Sequence, residues 1–256
     1  MKARKLLMTE VVFLLWFLII SQSFAKHNLP KIIKKIEPAT ILVIAYDESG
    51  KAIGQGSGFF ISKDGDIITN RHVLEGATKG EIKTVDGNVY TIKSVLADGK
   101  KVDIIRVSVD IPSKKVKYLS LSDEVPEVGE QIVVIGSPKG LEHTVSDGIV
   151  SAIRAIPGFG KIIQISAPIS PGSSGSPVVN MNGKVIGIAT YSNVEGQNLN
   201  FAIPSENMLN LQPGKAQTLA EWTEANVEEW LVSADGLYYT GLLYLSNDDY
   251  ENALEV

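Results

Sequence analysis

The chain has no cysteine in its 256 residues and only three histidines. The lack of cysteine excludes disulfides, a thiol nucleophile and thiolate metal sites, and three scattered histidines do not form the clusters typical of zinc sites. We therefore expect no metal and no cofactor. An excess of basic residues is also lacking. A formal net charge of −5 gives no positively charged surface of the kind that binds nucleic acid, so no nucleic-acid partner is expected.

Aromatic residues make up only 7% of the chain, whereas 23 residues are glycine. Short β-branched runs that end in Gly, Asp or Asn fill residues 40–204, with "DESGK" and "SKDGD" as turn clusters between them. Examples are "NVYTIKSVLA", "QIVVIGS", "GIVSAI", "KIIQIS" and "KVIGIAT". No long helical period interrupts these runs, which disfavours a doubly wound α/β fold. The pattern predicts an all-β protein built from barrels or a sandwich.

The first 25 residues differ from this pattern. They combine a basic start, the apolar run "VVFLLWFLII" and small residues at Ser23 and Ala25, as in an export signal cleaved after Ala25. The alternative is an uncleaved membrane anchor, but the run is shorter than the ~20 residues that span a bilayer. We expect an exported protein, periplasmic or extracellular, that meets a membrane only if this segment is retained. Residues 26–39, with "KIIKKIEP", predict a short linker helix.

The stretch "ISPGSSGSPVVN", residues 169–180, holds three serines, of which one is a candidate nucleophile. In a tight turn, an attacking serine uses its own backbone N–H and that of the residue two before it to bind the developing oxyanion. Ser173 has a proline at that earlier position, which cannot donate, and Ser176 is followed directly by a proline. Ser174 has Gly172 there and a second glycine after it. We therefore predict Ser174 as the nucleophile, and Gly172 with Ser174 as the oxyanion hole.

A base and an acid lie at compatible places in the sequence. "IITNRHVLEG" puts His72 directly after an apolar strand, and "DGKKVDIIRVSVD" puts Asp103 at the head of another. His72 would take the proton of Ser174 and deliver it to the leaving group, while Asp103 would fix the tautomer of His72 and stabilise its cation. Two rivals are less favoured: Asp98 precedes a turn cluster, and His143 lies in a turn-rich segment.

These segments together resemble the trypsin-like serine proteases of the HtrA (Deg) type. The resemblance covers residues 40–206 and rests on five stretches: "SGFFISKDGDIITNRHVLEG", "DGKKVDIIRV", "GSPKGLEHTVSDGIVSAI", "ISPGSSGSPVVNMNGKVIGI" and "LNFAIPSE". It implies two six-stranded antiparallel β-barrels, at about 40–122 and 123–205, with catalysis in the cleft between them. His72 and Asp103 would come from the first barrel and Ser174 from the second.

The sequence departs from the family pattern at three places. The family usually has Asn at the position of Ser173 and Gly at that of Ser176, but neither change removes a backbone donor. The family also usually carries a PDZ domain after the barrels, where only about 50 residues follow in this chain.

The resemblance also implies how a substrate would be held. The base of the pocket for the residue before the scissile bond falls at Pro168, which offers no carboxylate to a basic side chain. The strand "IGIATYS" would pair with the substrate backbone through Ala189, Thr190 and Tyr191. We therefore expect cleavage after small or medium aliphatic residues, and not after Lys or Arg.

Residues 206–256 predict a helical tail, because apolar residues recur at helical spacing with charged residues between them. Part of it looks like one tetratricopeptide repeat, with matching positions at Leu237, Gly241, Tyr244, Tyr250 and Ala253. The alternative is a generic helical hairpin packed on the barrels. Because the repeat would stop short of its full length, we expect a fragment of a longer product, whose tail could bind a protein partner.

The sequence therefore predicts an exported serine endopeptidase that forms an acyl-enzyme intermediate. Its partners would be protein or peptide substrates, in unfolded segments. Two alternatives stay open: a catalytically silent, protease-like binding module, and an esterase on the same barrels.

Overall fold

The structure is a computed structural model that describes most of the chain. It describes residues 29–136, 144–156, 160–190 and 200–231, except for the side chains of the last two residues. The chain divides into two units, Met1–Lys31 and Ile32–Val256, and both barrels belong to the second. Several predictions lie outside the described residues: the export signal, His143, Tyr191 and the tetratricopeptide positions.

Six antiparallel strands form a first closed barrel. They are β1 Thr40–Tyr46, β2 Ala52–Phe60, β3 Asp66–Asn70, β4 Lys79–Thr84, β5 Val89–Gly99 and β6 Ile104–Val109. Their order is β1-β2-β3-β6-β5-β4, and β4 pairs with β1 to close the ring. The period of two residues along β1 turns Ile41, Val43 and Ala45 into the core, where each is almost fully buried.

A second closed barrel follows. Its strands are β8 Gln131–Gly136, β9 Thr144–Ile156, β10 Gly160–Ile165, β11 Pro177–Asn180, β12 Lys184–Thr190 and β13 Asn200–Pro204. Their order is β11-β8-β9-β10-β13-β12, and the pairing of β11 with β12 closes the ring. A short strand, β7 Ser120–Leu121, pairs in parallel with β12. The prediction of two six-stranded antiparallel barrels is therefore confirmed.

Three helices lie outside the barrels in the described ranges: α1 Leu29–Ile36, α2 Ser205–Leu209 and α3 Leu219–Leu231. Helix α1 lies where the sequence predicts the linker helix. None of these helices has the length and apolarity that a membrane span needs.

Helix α3 packs on the first barrel, although it follows the second in sequence. Its side chains Leu219 and Trp222 lie in the core of the first barrel, with 3% and 2% of their surface exposed. Just before the helix, Gln217 pairs with Val95 of β5 through two backbone hydrogen bonds of 2.8 and 3.2 Å. The helical tail thus begins as part of the barrel structure.

Candidate active site

His72 and Asp103 lie at adjacent ends of two paired strands. Strand β3 ends at Asn70, which pairs with Ile104 at the start of β6. His72 follows in a 3₁₀ turn, Arg71–Val73, and Asp103 immediately precedes β6. His72 Nδ1 lies 2.8 Å from Asp103 Oδ2, and the His72 backbone N–H donates to Asp103 Oδ1 at 3.0 Å. One carboxylate therefore holds both the ring and the main chain of His72.

The backbone of Asp103 is held in an unusual conformation. Its φ of 53° and ψ of 42° are left-handed, and no other non-glycine residue in the described ranges has a positive φ. Its carbonyl oxygen accepts hydrogen bonds from Asn70 Nδ2 at 2.9 Å and from the Arg71 backbone N–H at 3.2 Å. Aspartate tolerates this region better than most residues. These two donors thus fix the turn that aims the carboxylate at His72.

The rival acid, Asp98, has other partners. Its Oδ1 accepts from Arg71 Nε at 3.0 Å, and its Oδ2 accepts from Trp222 Nε1 at 2.7 Å. The structure brings Asp103 and not Asp98 to His72. Within the described ranges, His, Asp and Glu form no group of three or more that could hold a metal ion.

The serine loop turns at two glycines that have a positive φ. Ser173 N–H donates to the Ser170 carbonyl at 2.8 Å, and Gly172 between them has φ +95°. A proline followed by a glycine with positive φ across such a bond is a type II turn. Gly175 has φ +90°, and a Cβ on it would overlap the carbonyl oxygen of Ser57. Neither glycine position accepts a larger residue without strain.

Strand β2 holds the serine loop against the first barrel. The backbone N–H of Ser57 donates to the Ser174 carbonyl at 2.7 Å, and Ser57 Oγ donates to the Gly172 carbonyl at 2.8 Å. The carbonyl of Ser57 in turn accepts from Thr69 Oγ1 at 2.7 Å. Ser57 is fully buried. The predicted nucleophile and its oxyanion partner are therefore both bound to one residue of the other barrel.

The turn of His72 and the serine loop meet at Gly56. A Cβ on Gly56 would lie 2.6 Å from Val73 Cγ2 and 3.0 Å from the Ser174 carbonyl oxygen. Neither Gly56 nor Ser57 is among the site residues predicted from the sequence. The glycines and serine of "GQGSG", within strand β2, are the signal that points to a close approach there.

Pro168, predicted at the base of the specificity pocket, is fixed by its main chain. Its carbonyl accepts from Ser146 Oγ at 2.9 Å, and the carbonyl of the preceding residue, Ala167, accepts from Asn200 Nδ2 at 3.0 Å. This segment is thus bound to both β9 and β13.

The residues predicted to pair with substrate lie at the end of β12. Ala189 is fully buried, its N–H donates to the Ser176 carbonyl at 2.8 Å, and its carbonyl accepts from the Gly175 N–H at 3.0 Å. Ala189 therefore supports the serine loop through both backbone groups. Thr190 is the last residue of β12 and pairs with Phe201 of β13.

Residues 56–188 match the model of the trypsin-like peptidase domain. The chain belongs to this family. The matched range includes His72, Asp103, Ser174 and the whole contact with Ser57. It ends before the C-terminal segment and gives the predicted tetratricopeptide repeat no support.

Curated relatives of this trypsin-like chain are serine proteases. It is 38% identical over 165 residues to the putative serine protease HhoB of a Synechocystis strain, covering 62% of this chain and 39% of that protein. It is 36% identical over 200 residues to the serine protease HTRA1A of Danio rerio, covering 72% and 40%. It is 40% identical over 167 residues to a probable periplasmic serine endoprotease, DegP-like, of Hahella chejuensis, covering 63% and 35%.

The chain thus spans about two fifths or less of the length of these relatives. A solved structure is also similar: that of the serine endoprotease from Yersinia pestis has a TM-score of 0.63 and 27% identity. The similarity covers 72% of this chain and 64% of that one. The resemblance to HtrA (Deg)-type trypsin-like proteases is therefore confirmed.

Proposed function

We propose that this chain is an exported serine endopeptidase that cleaves protein substrates through Ser174, His72 and Asp103. The observation that carries the proposal is the double contact of one carboxylate with His72, at 2.8 Å to the ring and 3.0 Å from the backbone. A histidine held in this way carries its proton on Nδ1 and donates it in a hydrogen bond to the carboxylate. Its Nε2 then has the lone pair that acts as the base.

The reaction would begin when Ser174 Oγ attacks the substrate carbonyl carbon and His72 Nε2 takes the hydroxyl proton. The electron pair of the C=O bond moves onto oxygen, where the N–H groups of Gly172 and Ser174 stabilise the negative charge. Collapse of this intermediate breaks the C–N bond, and His72 delivers its proton to the leaving amine. Water then attacks the acyl-enzyme by the same steps and releases the acid.

Asp103 would stabilise the imidazolium that forms when His72 takes the proton. The support for this role is geometric, because a carboxylate oxygen lies 2.8 Å from Nδ1 and the backbone of Asp103 is fixed by Asn70 and Arg71. Support for the oxyanion hole comes from the type II turn at Gly172 and from the bonds of Ser57 to the carbonyls of Gly172 and Ser174.

The substrate would add as a strand at the end of β12, through Thr190 and the residues after it. The side chain of the substrate residue before the scissile bond would be directed to Pro168. Several relatives carry the words "periplasmic serine endoprotease" in their names, which supports export together with the N-terminal apolar segment. Cleavage of that segment after Ala25 and a partner-binding role of the tail are parts of the same proposal.

A labelling experiment tests the proposal. A fluorophosphonate probe should label the wild-type chain and fail to label Ser174→Ala, and the wild type should degrade unfolded casein. Peptide and ester substrates with the same acyl group separate a peptidase from an esterase. A wild-type chain that takes no label would be a binding module, and the proposed function would be wrong.

A further inference from the structure

A second link joins the two chain segments that carry His72 and Asp103. Arg71 directly precedes His72, and Asp98 lies five residues before Asp103. Arg71 Nε donates to both oxygens of Asp98, at 3.0 and 3.3 Å. This ion pair therefore adds a side-chain link between the two segments, beside the contacts of His72 and Arg71 with Asp103.

The guanidinium of Arg71 is buried and contacts several side chains. Only 8% of its side chain is exposed. Besides Asp98, it donates to Glu75 Oε1 at 2.9 Å and to Asn226 Oδ1 at 2.5 Å. Its Cζ lies 4.9 Å from the centre of the Trp222 ring, in a cation–π contact. A buried charge that loses such partners must move or be resolvated, so these contacts determine where Arg71 lies.

Two of these partners belong to helix α3. Trp222 donates from Nε1 to Asp98 Oδ2 at 2.7 Å while its ring covers Arg71, so it binds both members of the ion pair. Asn226, one turn later, donates from Nδ2 to the Trp222 carbonyl at 2.6 Å and accepts from Arg71. Helix α3 thus covers the ion pair from outside the barrel.

We propose that Trp222 and Asn226 of helix α3, acting through the Arg71–Asp98 ion pair, position the turn of His72 against Asp103. Arg71, Asp98, Trp222 and Asn226 are positioning residues on this proposal, and helix α3 becomes a determinant of the activity of the site. The activity arm of the test rests on the proposed function. The arm that observes His72 directly does not.

The main chain connects the Arg71 side chain to the position of His72. Arg71 supplies one backbone donor to Asp103 and His72 supplies the next, both from the same short turn. If the Arg71 side chain leaves its place, this turn loses its side-chain contacts with Asp98 and helix α3. A shift of the base by a fraction of an ångström is enough to slow proton transfer, since misplacement by ~1 Å can cost about 10²-fold in rate.

The test compares matched variants on helix α3. Trp222→Phe keeps a ring over Arg71 but removes the N–H that binds Asp98, and Asn226→Ala removes the acceptor of Arg71. Thr223→Val is the control. Thr223 belongs to the same helix, and its Oγ1 donates to the Ala77 carbonyl at 2.6 Å, outside the ion pair. Arg71→Lys keeps the charge and one donor, whereas Arg71→Met removes both.

The first readout is the low-field NMR resonance of the His72 Nδ1 proton, recorded in the Ser174→Ala background and assigned by its loss in Asp103→Asn. We expect the resonance to persist in Thr223→Val, to shift or broaden in Trp222→Phe and Asn226→Ala, to disappear in Arg71→Met and to return in part in Arg71→Lys. An unchanged resonance in Trp222→Phe, Asn226→Ala and Arg71→Met would overturn the proposal, whether or not the chain is a protease.

The second readout is the rate at which the fluorophosphonate reacts with Ser174 in the otherwise native chain. We expect the second-order rate constant of labelling to fall about tenfold for Trp222→Phe and not to fall for Thr223→Val, at equal loss of Tm. If the two variants lose rate only in proportion to Tm, helix α3 acts on stability alone and the proposal fails. If the wild type does not react at all, the proposed function fails, and the NMR readout still decides the role of helix α3.

Discussion

Ser57 Oγ donates a hydrogen bond to the Gly172 carbonyl at 2.8 Å, although the two residues are 115 positions apart and belong to different barrels. The same serine binds the Ser174 carbonyl through its N–H at 2.7 Å. The loop that carries the proposed nucleophile is therefore fixed from the opposite side of the cleft. One buried side chain thus contributes both to the contact between the two barrels and to the shape of the turn at Gly172.

The first prediction concerns that side chain. Ser57→Ala removes the donor to Gly172 but leaves the backbone bond to Ser174, so we expect a fall in kcat of about tenfold or more with little change in KM. Leaving the half-buried Gly172 carbonyl without this donor should also lower the free energy of unfolding by about 1 kcal/mol. Steady-state kinetics and urea denaturation of the two proteins measure both effects. A Ser57→Ala chain with native kcat would show that the turn at Gly172 needs no support from β2.

The second prediction concerns the roles in the proposed triad. Ser174→Ala and His72→Ala should each abolish turnover, and the double variant should be no worse than either single one, because the residues act as a unit. Asp103→Asn should lower the rate by about 10⁴-fold, since the amide favours the wrong tautomer of the histidine. Asp98→Asn should lose much less, because Asp98 binds Arg71 and Trp222. A larger loss in Asp98→Asn than in Asp103→Asn would contradict the assignment of the acid.

The local parts of this site are readable from the sequence. The turn around Ser174 follows from prolines and glycines within a few positions of it, and His72 and Asp103 follow from their places at strand ends. The supporting contacts are not readable in this way. Ser57 reaches Gly172 and Trp222 reaches Asp98 only because the barrels close and helix α3 returns to the first of them. A pattern of periodicity and turn residues carries no information on such distant pairs.

The third prediction tests how closely the serine loop and β2 approach each other. Gly175→Ala places a methyl group onto the Ser57 carbonyl and 2.6 Å from Thr69 Oγ1, in a backbone with φ +90°. We expect a loss of about 3–5 kcal/mol in the free energy of unfolding, from strain and overpacking together. Gly129→Ala is the control, since its φ is +93° and a Cβ there meets no atom of the described residues within 4 Å. It should lose only about 1 kcal/mol.

Denaturant unfolding of the two glycine variants separates the cost of backbone strain, which both share, from the cost of overpacking, which only Gly175→Ala has. Equal losses in Gly175→Ala and Gly129→Ala would mean that the barrels move apart to admit the methyl group. The close packing at Ser57 would then be no constraint on the loop.

The fourth prediction concerns specificity. Pro168 offers no carboxylate at the expected base of the pocket, so cleavage should follow small or medium aliphatic residues. A peptide library with one varied position before the scissile bond measures this preference. Pro168→Asp is the matched variant, because it adds the missing charge and should raise the share of cleavage after Lys and Arg. A wild-type profile dominated by basic residues would contradict the assignment of Pro168.

The fifth prediction concerns the attachment of helix α3 in acid. Thr218 and Glu221 form a capping box: Glu221 Oε2 accepts from the Thr218 N–H at 2.7 Å, and the Glu221 N–H donates to Thr218 Oγ1 at 3.2 Å. The Thr218 N–H, and after it the Thr218 hydroxyl, hold the pKa of Glu221 below its ordinary value of 4.5. A carboxyl whose pKa is lower in the folded chain stabilises the fold above its ordinary pKa, and this stabilisation is lost as the pH falls through the lowered value.

We therefore expect Glu221→Gln to be less stable than the wild type at neutral pH, with a difference that stays constant down to about pH 4.5 and vanishes in stronger acid. Chemical denaturation at a series of pH values measures the difference, and Glu224→Gln, a neighbour on the same helix outside the capping box, is the control. Because the capping box holds the start of helix α3, the amide protection factors of residues 219–229, corrected for the pH dependence of intrinsic exchange, should fall in the same acidic range. A stability difference that grows as the pH falls would have the wrong sign for a capping carboxylate, and the role given to Glu221 at the start of helix α3 would be wrong.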